Sequence, residues 1–69
     1  MTWEEFKEKA IKNGYRLDNI NCSFEVLREP IGEEISKSFY KDGEIFIDGT
    51  RISRERTPDQ MYQIMLALR

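Results

Sequence analysis

The alternation of apolar and polar residues divides the chain into a helix, a block of short strands and a second helix. In the first segment Trp3, Phe6, Ala10 and Ile11 stand at i, i+3, i+7 and i+8, the spacing of one helical face. Thr2 and Glu5 have the form of a capping box, Glu4 and Glu5 sit in the first turn, and Lys9 and Lys12 near the last. Asn13-Gly14 supplies a left-handed stop, so the pattern predicts a helix over 2–13. At the other end Thr57 caps, Pro58 takes the first helical position and Gln60 closes a second box. Met61, Ile64, Met65 and Leu68 follow at i, i+3, i+4 and i+7, and this stripe reads as a core face.

Between the helices the period falls to two. Tyr15 and Leu17 alternate with Arg16 and Asp18, and the turn-formers around Asn19-Ile20-Asn21 then interrupt the pattern. Phe24 and Val26 alternate with Glu25, and Pro30 and Gly32 end that stretch. A strand over 34–41 leads into Asp42-Gly43, a short strand over 44–47 into Asp48-Gly49, and a last strand over 50–54. Asp-Gly between apolar runs is the strongest short-range hairpin signal, because both central residues of a type I′ turn have positive φ. The expected fold is a single α+β domain over 1–69. It has an N-terminal helix, an antiparallel meander of three to five short strands and a C-terminal helix, with both helices on one sheet face.

Treating Asp42-Gly43 as a two-residue loop fixes an expected register. Lys41 then opposes Glu44, Phe39 opposes Phe46, and Lys37 lies level with Asp48. If Asp48-Gly49 is also a two-residue turn, Arg51 opposes Phe46 and Ile52 opposes Ile45. The aliphatic face of Tyr40, Ile45, Ile47 and Ile52 is expected to receive the helices. Phe39 and Phe46 are expected on the open face with Lys37, Lys41 and Arg51, the arginine being in reach of a cation–π contact.

Composition limits what such a face can do. The net charge is −2 and the sequence pI is near 5.1, which argues against a chain built around a polyanion. The local basic excess is Arg51, Arg54 and Arg56. With one cysteine and no histidine, an intrachain disulfide is excluded, and neither a structural zinc site nor a histidine-activated nucleophile is expected. Cys22 lies in a turn-like stretch and reads as structural. Carboxylates at Glu33, Glu34, Asp42, Asp48 and Asp59 are largely accounted for by turns and caps, and the glycines are too isolated to cradle a phosphate. No enzymatic activity, metal or cofactor is expected. The N-terminus reads as an amphipathic helix rather than a signal peptide, and no apolar run has the ~20 residues a membrane span needs. A cytoplasmic setting is therefore expected.

Thr-Trp-Glu-Glu-Phe-Lys-Glu-Lys-Ala with Asn-Gly-Tyr, Phe-Tyr-Lys-Asp-Gly-Glu-Ile-Phe-Ile-Asp-Gly, and Arg-Thr-Pro-Asp-Gln-Met-Tyr-Gln-Ile-Met-Leu-Ala-Leu cover both ends and the hairpin. In these stretches the chain resembles small accessory proteins of phages and prophages of Gram-positive bacteria. The resemblance implies an inhibitor that occludes a host protein, of the anti-CRISPR or other anti-defence type, and it carries over no catalytic residue. The expected function is a non-enzymatic protein-binding module, with Phe39, Phe46, Arg51, Lys37, Lys41 and Arg54 as binding residues and a host protein or a second copy as partner. The alternatives are a single-stranded nucleic-acid binder using the same aromatics, and an oligomeric small-ligand sponge.

Overall fold

A computed structural model describes residues 1–21, 24–29 and 36–68. Helix α1 spans Trp3–Lys12 and helix α2 Pro58–Ala67. Between them run β1 (Arg16–Asn21), β2 (Phe24–Arg28), β3 (Lys37–Tyr40), β4 (Ile45–Ile47) and β5 (Thr50–Ser53). The five strands form one antiparallel sheet in the order β1-β2-β3-β4-β5, a meander with β1 and β5 at its edges.

Each helix is delimited as its sequence dictates. Both capping boxes form: Thr2 Oγ1 accepts from Glu5 N at 3.1 Å, and Thr57 Oγ1 from Gln60 N at 3.2 Å. Helix α1 ends in a Schellman motif. Gly14 takes φ +94°, its N–H donates to Ile11 O, and Tyr15 N–H reaches back to Ala10 O. Asn19–Asn21, expected as a turn, continue β1 instead, with a bulge in the pairing to β2 between Asn19 and Asn21. Cys22, Glu33, Glu34 and the expected strand start at 34–35 lie outside the described residues.

The core sits between the sheet and the two helices. Phe6 and Ala10 of α1 and Met61 and Met65 of α2 meet Leu27, Phe39 and Ile45 of the sheet, with Tyr15 at one side. The Phe39 ring lies edge-on to Phe6, with centroids 5.6 Å apart, and 5.7 Å from Tyr15. Ile11, expected on this face, is 49% exposed. It falls at the margin of the helical stripe, away from Phe6 and Ala10, the residues of α1 that are buried.

The two Asp-Gly turns differ in kind. Asp48 and Gly49 both have positive φ, at +51° and +79°, and join Ile47 to Thr50 as the two-residue type I′ turn. At the first turn only Gly43 has positive φ. Its N–H donates to Tyr40 O, and Tyr40 N–H donates to Glu44 O, so the loop has three residues, Lys41-Asp42-Gly43. This is a type I turn closed by a glycine bulge. The extra residue moves the register by one: Phe39 opposes Ile45, Ser38 opposes Phe46, and Lys37 opposes Ile47.

That shift corrects the expected faces, because a one-residue slip inverts a whole strand. Strand β4 lies as expected, with Ile45 inward and Phe46 outward. Strand β3 is inverted: Phe39 is fully buried in the core, and Tyr40 leaves the core to face Phe46. Ile52 does not oppose Ile45. Ser53 does, and Ile52 is the inserted residue of a bulge in β5, 51% exposed.

Candidate binding face

With both helices on one side, the other side of the sheet carries the side chains between the core positions. Tyr40 and Phe46 are half-buried there, with ring centroids 5.1 Å apart. Val26 pairs with Tyr40 and is fully buried, yet it lies outside the cluster that the helices cover. Arg51 opposes Phe46, as expected from the second turn.

Two ion pairs flank the rings. Arg51 Nη1 donates to Glu44 Oε2 at 3.0 Å across β4 and β5, and Arg28 Nε lies 3.0 Å from Asp18 Oδ2 across β1 and β2. Both are partly exposed, so each contributes little stability alone. Their effect on the face is to cancel most of its charge around an aromatic centre. Asp42, Glu44, Arg51, Arg54 and Glu55 line a shallow cleft of about 270 Å³ at the β5 margin. Arg54 is therefore exposed beside carboxylates rather than on an open basic patch.

Of the other expected binding residues, Phe39, Lys37 and Lys41 lie on the helix-covered side. Lys37 donates to Glu29 at 2.6 Å, and the same Glu29 oxygen accepts from Tyr15 Oη at 3.0 Å. Lys41 stands 4.0 Å from Glu25. Glu25 also accepts from the Trp3 indole at 3.0 Å and from Lys7 at 3.0 Å. These donors, Trp3 first and then Lys7, hold the Glu25 carboxyl below the ordinary glutamate range.

A sequence signal for this arrangement exists in the alternation of charge. Glu25-x-Leu27-x-Glu29 and Lys37-x-Phe39-x-Lys41 are period-two patterns of opposite sign around one large apolar residue. Antiparallel pairing of Leu27 with Phe39 sets each glutamate level with a lysine. The pattern places Phe39 against Leu27, in the core, without reference to the hairpin loop.

No family model, curated protein or solved structure matches the chain. Among the described residues no group of three or more His, Cys, Asp or Glu is placed to hold a metal ion. Among the same residues no helix is long and apolar enough to cross a membrane. The face is read from its own chemistry: an aromatic pair, an exposed isoleucine and two compensated ion pairs.

Proposed function

We propose that this chain is a non-enzymatic binding module that docks a protein partner on the outer face of β3–β5. The observation that carries the reading is the Tyr40–Phe46 pair on the side of the sheet opposite the helices, beside Arg51 and the exposed Ile52. Aromatic residues and arginine dominate interface energetics, and a ring of compensated polar groups around them excludes water without selecting a highly charged partner. The resemblance to phage accessory proteins makes a host defence protein in the cytoplasm the expected partner. The nucleic-acid alternative has less support, since Arg51 is held by Glu44 and Arg54 stands among Asp42, Glu44 and Glu55.

A photo-crosslinking residue at position 52 tests the reading, with the same residue at Glu8, exposed on α1, as the control. Irradiation in host extract gives an adduct with one protein from position 52 and none from position 8. The adduct disappears in the Phe46→Ala background while the circular dichroism spectrum is kept. Equal capture from both positions, or capture that survives Phe46→Ala, overturns the assignment. Capture abolished by nuclease replaces the protein partner with nucleic acid.

A further inference from the structure

The pairing registers place the outer-face residues in two transverse rows. Arg16, Arg28, Ser38, Phe46 and Arg51 stand level across all five strands. Asp18, Val26, Tyr40 and Glu44 form the neighbouring row. Two residues along a strand separate the rows, about 7 Å. The first row thus holds three guanidinium groups and the Phe46 ring, and the second holds the Tyr40 ring and two carboxylates, with Arg54 standing among Asp42, Glu44 and Glu55 at its β5 end. The face is a dipole laid across the sheet, nearly neutral in sum.

We propose that a second copy of this chain docks on this face, arginine row against carboxylate row. The inference rests on the reading of the outer face as a docking surface, and it names an occupant that the chain itself supplies. A two-fold axis running across the strands exchanges the two rows. It brings Asp18 of one copy over Arg16 of the other, and the Glu44 carboxylate within reach of the facing Arg51. Each intrachain pair, Asp18–Arg28 and Glu44–Arg51, then gains a further opposite charge where burial alone would cost it water. A polyanion finds no such match, because two of the three arginines already hold a carboxylate at 3.0 Å.

The footprint limits the affinity. Five strands span about 24 Å and four residues of each about 13 Å. That area falls short of the roughly 800 Å² per partner of a stable complex, so association is weak. The chain is monomeric at about 10 µM and dimeric towards about 1 mM.

Sedimentation equilibrium over that range is read together with amide chemical shifts. Concentration-dependent shifts centre on Asp18, Tyr40, Phe46 and Arg51. Asp18→Lys with Glu44→Lys makes the face wholly basic; Arg16→Glu, Arg28→Glu and Arg51→Glu together make it acidic. Each variant alone stays monomeric, and an equimolar mixture forms a heterodimer at lower concentration than the wild type dimerises. A wild type monomeric at the highest concentration overturns the inference, as do shifts that map to the helices or folded variants that do not associate when mixed. Where a variant fails to fold, the wild-type shift map decides. Partner capture from position 52 by a strictly monomeric chain removes the self-docking alone; a dimer that captures nothing removes the host partner alone.

Discussion

Replacing Gly43 with alanine tests the three-residue turn on which the face assignment depends. A Cβ built on Gly43 lies 2.6 Å from both N and O of Arg56 and 3.0 Å from the Glu55 carbonyl carbon. All three are backbone atoms, held in place because Arg56 N–H donates to Gly43 O at 3.0 Å. Gly43 also has φ +95°, which disfavours any L side chain by about 1–2 kcal/mol. Forcing the chains apart adds about 1–3 kcal/mol of strain, and loss of the hydrogen bond about 1 kcal/mol. The sum, about 3–6 kcal/mol, is comparable with the whole stability expected of so small a domain. Gly49→Ala is the matched control. It too has positive φ, at +79°, but nothing lies within 4 Å of its added Cβ, so it loses only the backbone term. Urea unfolding followed by far-ultraviolet circular dichroism separates the two. Gly43→Ala is mostly unfolded or has a sharply lowered midpoint, and Gly49→Ala loses about 1–2 kcal/mol. Equal losses in the two variants refute the close approach of the 54–56 segment, and with it the packing that accompanies the three-residue loop.

Three further outcomes follow from the same geometry. Phe39→Ala costs about 3–5 kcal/mol and Phe46→Ala no more than about 2, because only Phe39 is enclosed by both layers; chemical denaturation of the pair gives the order, and the reverse order restores the two-residue register. Glu55→Gly raises stability by up to about 1 kcal/mol, since Glu55 has φ +58°; thermal melts of the variant and wild type show it, and a fall in midpoint refutes strain at that residue. Glu25 has a carboxyl held below the ordinary glutamate range by Trp3 and Lys7, so its contribution is present above the unfolded-state value and is lost as pH falls through the folded-state one. Glu25→Gln therefore lowers the urea midpoint at neutral pH and approaches the wild type in acid; a constant difference from pH 7 to below 4 refutes the ion-pair origin.

Local chemistry wrote much of this fold into the chain. Thr2 with Glu5, and Thr57 with Pro58 and Gln60, set both helix starts, because a cap needs only residues three apart. Gly14, Gly43 and Gly49 mark positive φ at the end of α1 and at the turns on either side of β4, and the apolar spacing of the helices names Phe6, Ala10, Met61 and Met65 as core. The loop length at Asp42-Gly43 was not fixed locally. Asp-Gly fits a type I′ turn and a type I turn with a glycine bulge about equally, and the two differ by one residue of register. Contacts remote in sequence selected between them: Arg56 closing over Gly43, and Glu25 and Glu29 meeting Lys41 and Lys37 around Leu27 and Phe39. Side chains alternate with period two along a strand. That single residue of register therefore put Phe39 rather than Tyr40 into the core, and made Tyr40 and Phe46 the aromatic pair of the outer face.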